Sequence, residues 1–479
     1  MLKSSLFKKS KLSLSVVLLI SLASCTTTAS VPVSPYSNNS PSSVNTQTTN
    51  SDSSKPVPYV NSGSGRDSTP SSSSEGSMSA GGASSSVIPA SAPTEKTTGS
   101  TADLSSTPDP YTSTNSVTPD KYINNPQPTK SLSGGSSDDN EKFDDYLSYL
   151  NKFSTLRDGI DVLKVDVSNR FTISLLDSNN KTISDADIQI KYNSNNVFSG
   201  KTYSNGKVLF FPSSIKSINS NCQQQNCTDK YTVTAQKGNY KVSKDFSSSD
   251  KNWNINIGDK RDEIKTPNLD LLFLIDTTGS MGDEINSIQK TIKDVSNQIQ
   301  NMPSNPKIRY SLVSYKDRVD DYRVKRYDFT TNLSYFQSEL DELKAGGGGD
   351  YPESMNEGLY NAISKVSWTT DNAIRLVFLV ADAPPHLDYS DDVKYTDSMV
   401  NAVKQGIKIY PTAASGLDNS GEYIFRQMAQ FTGAKFLFIT YGGDAQTAGT
   451  TPNHVGYFKE NNLDSLIVNV VKDELTNLN

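Results

Sequence analysis

LDLLFLIDTTGSMGDEI, Leu269 to Ile285, decides how this 479-residue chain folds. It opens with an apolar run from Leu269 to Ile275, interrupted only by Asp270, with Pro267 before it and a polar turn after it. A run of this length bounded by turn signals reads as a strand buried on both faces. Beyond the turn, Ile285, Ile288, Ile292 and Val295 recur at helical spacing. Between strand and helix, Asp276, Thr278 and Ser280 stand at alternate positions, so a turn over the strand end aims three oxygens at one point. Hard divalent cations take such oxygen ligands, and Mg²⁺ keeps several of its waters besides. The competing reading is a helix cap, with the hydroxyls serving turn amides. The order strand, turn, helix favours the metal.

D-x-T-x-S after a buried strand resembles the metal-ion-dependent adhesion site of von Willebrand factor type A (VWA) domains, the fold of integrin I domains. The segments that follow sustain the resemblance to the C-terminus. KIRYSLVSYKD, VKRYDFT, AIRLVFLVAD, GIKIYPTAA and AKFLFIT read as strands, and NLSYFQSELDELK, ESMNEGLYNAISKV, DDVKYTDSMVNAVKQ, EYIFRQMAQFTG and NLDSLIVNVVKDEL as helices. Alternation of this kind predicts an α/β fold with a doubly wound, mostly parallel, Rossmann-like sheet over residues 264–479. In the VWA fold the first and fourth strands are neighbours where the strand order reverses, and ligands bind outside the carboxyl ends of the strands there. The resemblance implies that Asp276 and Asp382, which ends the fourth strand, face one crevice. With Thr278 and Ser280 they would hold a divalent cation, Mg²⁺ before Ca²⁺ or Mn²⁺. Pro384 and Pro385 stop the fourth strand and stiffen its turn.

The second loop departs from the integrin pattern, because GGGGDYPESMNEGL contains no threonine. It is similar to the GGGD-x-P-E loop of some bacterial and hemicentin-like A domains. That likeness implies Asp350 in the threonine's place, with Glu353 as the alternate. The same two residues around Pro352 also fit a capping box for the next helix. A third carboxylate would hold the ion more tightly and leave it less electrophilic. It would then be weaker at capturing an acidic side chain from a protein partner, which is how this family completes its coordination sphere. Asp317 reads as a solvated loop aspartate. His386 is one of only two histidines and has no cysteine or second histidine nearby for a transition-metal site, so it reads as a residue fixing the loop.

Upstream, the composition changes. Residues 1–25 carry a basic segment (Lys3, Lys8, Lys9, Lys11) and the apolar run LSLSVVLLISL, too short to span a bilayer. The run ends in Leu22-Ala23-Ser24-Cys25, which resembles the lipobox of bacterial lipoproteins. The resemblance implies cleavage before Cys25, acylation (palmitate among the chains) and a lipid anchor in the cell envelope, at the outer membrane if the cell is Gram-negative. Residues 26–137 are Ser, Thr, Pro, Asn and Gly with few apolar side chains. They are expected to form a disordered tether, since they cannot bury enough surface to offset ordering entropy. A coil of about 110 residues spans roughly 55–65 Å.

Over residues 138–158, Phe143, Tyr146, Leu147, Leu150 and Phe153 predict one amphipathic helix. Residues 160–258 switch to a period of two in RFTISLLD, ADIQIKY, GKVLFFP, DKYTVTAQK and WNINIG, which predicts a small antiparallel sandwich. That stretch resembles prealbumin-like or carboxypeptidase-regulatory-like modules. Cys222 and Cys227, in the polar NCQQQNC, suit a small-loop disulfide in an exported protein better than a zinc site.

A net charge of −6 and a pI near 5.2 lack the basic footprint of nucleic-acid binding. Mean hydropathy of −0.53 agrees with a long non-globular segment. Two enzyme readings lack parts. A haloacid-dehalogenase-like phosphatase needs an aspartate where Thr278 stands, and a subtilisin-like protease needs a serine nucleophile that no segment near His386 or His454 supplies. The sequence therefore reads as a non-enzymatic envelope lipoprotein whose VWA domain binds a protein ligand through a divalent cation. The alternative is an envelope-assembly or scaffold lipoprotein in which the metal is structural only.

Overall fold

The computed structural model describes residues 59–61, 132–155, 162–223, 228–414, 416–440, 455 and 461–478. Cys25, Cys227, most of the tether and the side chain of Cys222 lie outside them, so the lipid anchor and the disulfide fall on residues not described.

Two short strands, β1 (Tyr59–Asn61) and β2 (Ser133–Ser137), precede helix α1 (Phe143–Thr155). Then come β3 (Phe171–Leu176), β4 (Asp187–Tyr192), β5 (Asn195–Lys201), β6 (Lys207–Phe210), helix α2 (Lys216–Gln223), β7 (Lys230–Lys237), β8 (Tyr240–Ser247) and β9 (Asn252–Asn256). These strands form two sheets, ordered β6-β3-β9 and β5-β4-β7-β8. The remainder is β10 (Asn268–Asp276), α3 (Gly282–Gln300), β11 (Lys307–Tyr315), β12 (Val324–Thr330), α4 (Leu333–Asp341), α5 (Met355–Ser364), β13 (Ala373–Ala381), α6 (Tyr395–Gln405), β14 (Ile407–Ala413), α7 (Asn419–Phe431), β15 (Phe436–Thr440), β16 (Asn461–Asn462) and α8 (Leu463–Thr476).

The large sheet runs β1-β12-β11-β10-β13-β14-β15-β2-β16. Its five central strands are parallel, and the strands flanking them pair antiparallel. This is the expected α/β architecture, and β10 and β13, the expected first and fourth strands, are neighbours. Burial on both faces follows from the side-chain period of two. Leu269, Leu271, Phe273 and Ile275 of β10 join α3, α4 and α8 in one core, while Leu272 and Leu274 point to the other face, against α5, α6 and α7.

Four sequence expectations need correction. Tyr59–Asn61 and Ser133–Ser137, assigned to the tether, are strands of the large sheet, the first at its edge and the second between β15 and β16, pairing with β15 from Phe436↔Ser137 to Thr440↔Ser133. A strand added beside an existing sheet takes its backbone hydrogen bonds from it and needs no apolar pattern of its own. The small sandwich is not wholly antiparallel, because β3 and β9 run parallel. Half of the polar segment around Cys222 is helical, in α2. Finally, the sandwich and the α/β part are not separately cored.

One continuous apolar cluster runs from Trp253, Phe171 and Tyr231 in the sandwich to Met399, Val403 and Phe425 on the helices. Phe211 stacks on Phe431 with ring centroids 5.2 Å apart. Helix α1 lies against α7, with Tyr149 and Phe153 on Tyr423 and the buried Arg426–Asp139 pair at 2.7 Å. At the lower end of β13, Arg375 reaches Asp185 of the sandwich through Nη1 at 2.9 Å and Nη2 at 3.3 Å, and both side chains are buried.

Removing Arg375 takes away the cation bonded to the buried Asp185 carboxylate and leaves Lys201 and Lys237, each at 3.8 Å, to compensate it in part, a cost of about 3 kcal/mol or less. Arg375→Ala should therefore lower the urea midpoint of the sandwich and the α/β sheet together, in one transition followed by both tryptophan fluorescence and circular dichroism. Two separated transitions in the wild-type chain would contradict the shared core.

Candidate metal centre

Register brings the first and third loops together. Ile275 of β10 pairs with Val380 of β13, so Asp276 ends its strand level with Ala381, and Asp382 follows at once. Both carboxylates emerge at the carboxyl edge of adjacent parallel strands. Asp276 is fully buried. Its Oδ1 accepts from the Thr278 amide at 2.9 Å and the Thr278 hydroxyl at 2.8 Å, while Oδ2 has no hydrogen-bond partner. Beside it stands the buried Tyr315 hydroxyl, outside ordinary hydrogen-bond geometry yet near enough to offset part of the burial of the Asp276 carboxylate. Thr277 pins the turn from below, donating its hydroxyl to the Tyr315 carbonyl at 2.8 Å. Ser280 is exposed, and its hydroxyl bonds to Asp382.

The glycine-rich second loop lies across the first. Gly346 N donates to the Thr277 carbonyl at 3.1 Å, and Gly279 N to the Gly347 carbonyl at 3.0 Å. Gly348 has φ +75°, and a side chain there would collide with both the Glu353 carboxylate and Thr278. Glycine is thus required by backbone conformation and by close approach. Glu353 is buried, and its amide donates to the Pro384 carbonyl at 3.1 Å while its own carbonyl accepts from His386 N at 3.0 Å. The second and third loops are laced together through this one residue.

The structure brings together Asp276, Thr278, Ser280 and Asp382. It does not bring Asp350 to them. That side chain is 61% exposed and turns toward His386. Of the second-loop acids, Glu353, the alternate in the sequence reading, is the one that feels the charges of Asp276 and Asp382 and lies with Thr278 around Gly348. The reason is local: the backbone bonds to Pro384 and His386 draw Glu353 inward. Sequence reasoning also missed Asp317, which is buried and not a solvated loop residue.

Electrostatics mark the group as uncompensated. Burial, then the charge of Asp382, pushes the Asp276 carboxyl up to about 7. Burial, followed by the charges of Asp276, Asp317, Asp320 and Asp382, pushes Glu353 up to about 9. Burial raises Asp382 as well, against the Ser280 hydrogen bond. Among the described residues no lysine or arginine ion-pairs with any of the three, and Glu353 Oε2, like Asp276 Oδ2, lacks a hydrogen bond. Buried carboxylates are stable only when paired or bound to metal. Two carboxylate oxygens without a hydrogen bond, a third acid and two hydroxyls give the crevice the oxygen chemistry that Mg²⁺, Ca²⁺ or Mn²⁺ takes, directly or through bound water.

Residues 270–440 match the family model for the von Willebrand factor A domain. The chain carries a VWA domain. Its curated relatives include the alpha-protein kinase vwkA of Dictyostelium discoideum, 33% identical over 119 residues, which are 25% of this chain and 19% of that protein. Von Willebrand factor A domain-containing protein 7 of Homo sapiens is 32% identical over 120 residues, 25% of this chain and 12% of that protein. The likeness is therefore to a small part of each relative. The pilus adhesin SpaC of Lactobacillus rhamnosus aligns with 53% of this chain and 34% of its own at 11% identity and a TM-score of 0.30, a likeness too loose to carry an argument. VWA domains often bind divalent cations, in keeping with the donor set.

The raised carboxyl pKa values fix the sign of a pH effect. The folded protein holds protons that the unfolded chain releases near pH 4, so metal-free stability falls as pH rises through about 7 and 9. In a chelator, the melting temperature should decline from pH 5 to pH 9. Added Mg²⁺ should raise it most at the alkaline end, where no protons compete. A Mg²⁺ shift that is flat with pH would contradict the three-carboxylate site.

Proposed function

We propose that Asp276, Thr278, Ser280, Glu353 and Asp382 hold Mg²⁺, and that an acidic side chain of a protein ligand completes the coordination sphere. The observation that carries this is the unpartnered Oδ2 of buried Asp276, beside a second orphaned carboxylate oxygen on Glu353. The reading is one of binding, since the crevice gathers carboxylates and hydroxyls of the kind that ligate a hard cation. The lipobox-like Leu22 to Cys25 supports a lipid-anchored placement in the bacterial envelope. Among the described residues no helix is long and apolar enough to cross a membrane.

A second reading has one observation in its favour. The third carboxylate lowers the electrophilicity of the ion, which suits a metal that only ties loops together in an envelope scaffold.

Exchange at Glu353 separates the two. Glu353→Thr should weaken Mg²⁺ binding by roughly tenfold or more, since outer-shell partners alone are worth that much. It should also strengthen carboxylate capture. With Mn²⁺ in the site, added acetate should displace a bound water and lower water-proton relaxivity, more so in the variant. Asp276→Ala should abolish the calorimetric Mg²⁺ signal. Mg²⁺ binding untouched by Asp276→Ala would overturn the site, and relaxivity indifferent to acetate would favour the scaffold. Separately, palmitate labelling in a bacterial host should be lost in Cys25→Ser.

A further inference from the structure

Three acidic and imidazole side chains outside the proposed Mg²⁺ set converge from three separate elements. His386, in the loop after β13, is 5% exposed and stacks on Tyr389 with ring centroids 3.9 Å apart. Its Nδ1 lies 2.8 Å from Asp388 Oδ1, while Nε2 has no hydrogen-bond partner. That nitrogen faces Asp317 Oδ1 at 3.6 Å, from the end of β11, and Asp350 Oδ2 at 3.9 Å, from the glycine-rich loop. The three ligand atoms all lie within 4.8 Å of one another. Asp317 is itself held by the Ser354 hydroxyl at 2.9 Å and the Tyr389 hydroxyl at 3.1 Å.

We propose that Asp317, Asp350 and His386 form a second cation site, for Zn²⁺ or a similar borderline transition-metal ion. With metal–ligand bonds of about 2.1 Å, ligand atoms on a tetrahedral ion sit about 3.4 Å apart. The two distances from Nε2, 3.6 and 3.9 Å, close with movements of a few tenths of an ångström, and Asp350, exposed on its loop, is free to approach Asp317 from within 4.8 Å. Asp388 on Nδ1 fixes the tautomer in which Nδ1 carries the proton and Nε2 presents its lone pair to the ion, the usual outer-shell arrangement of a ligating histidine. An imidazole donor shifts preference away from Mg²⁺ toward Zn²⁺ and its neighbours. The rival account is a bare ion pair. It leaves Nε2 too far from either carboxylate for a hydrogen bond, so it explains the buried orphan less well.

The site would tie the loop bearing Glu353 to the loop bearing Asp382, bracing the neighbouring crevice. Three protein ligands leave a fourth position open to water or to an incoming donor.

The test uses the full chain with its cysteines alkylated and Co²⁺ as the optical probe. Wild type should take up Co²⁺ at this site with visible d–d absorption that Zn²⁺ displaces and excess Mg²⁺ does not. His386→Gln should abolish that absorption, and Asp350→Asn, a change at an exposed position that leaves the fold intact, should weaken it by roughly tenfold or more. Asp276→Ala should leave it unchanged, so failure of the Mg²⁺ reading and failure of this one are told apart. Absorption unaffected by both His386→Gln and Asp350→Asn, lost in Asp276→Ala, or displaced by Mg²⁺ would overturn the proposal. Absence of Co²⁺ absorption would leave only the ion pair.

Discussion

The parallel pairing of β10 with β13, one residue in register with one, is the constraint on which the rest of the structure depends. It sets Asp276 and Asp382 side by side at the edge of a sheet buried on both faces. Water cannot solvate them there, and the two charges disfavour each other. The surrounding loops answer that cost only in part. Thr278 satisfies one oxygen of Asp276 and Ser280 bonds to Asp382, while a third acid, Glu353, is brought in where a base would have relieved the charge. This uncompensated acidity is what supports the proposal of a cation in the crevice.

The second loop shows how backbone geometry selects among similar side chains. Asp350 and Glu353 are three residues apart and chemically alike. Glu353 is pulled inward by its amide and carbonyl bonds to Pro384 and His386, and Gly348 leaves room for its carboxylate. Asp350 is left at the surface facing His386. The two acids thus belong to two different clusters, although the chain presents them as alternatives for one place.

The opposite end of the sheet serves a different purpose. Arg375 and Asp270 interrupt otherwise apolar strands there, and each is buried with a partner: Asp185 of the sandwich for the first, Arg309 of β11 for the second. Through Arg375, and through the stacking of Phe211 on Phe431, the sandwich becomes an extension of the α/β core. Charged residues at one edge of the sheet join the layers, while those at the other form the crevice.

Much of this was legible in the sequence because it is local. The two-faced apolar strands, the amphipathic helix α1, the period-two segments of the sandwich and the D-x-T-x-S turn each carry their signal within a dozen residues. β2 carried none, because SGGSS pairs through its backbone and is chosen for smallness against β15. β3 and β9, whose parallel pairing joins residues some eighty positions apart, gave no sign of their direction. The sequence by itself determined the fold class and pointed to Asp276, Thr278, Ser280 and Asp382, which meet at one crevice, since these depend on pattern and on a turn next to a strand. The tertiary structure alone decided that Glu353 enters the crevice and that Asp317, Asp350 and His386 meet. Those choices are made by backbone bonds and packing between loops far apart in the chain, which no local pattern records.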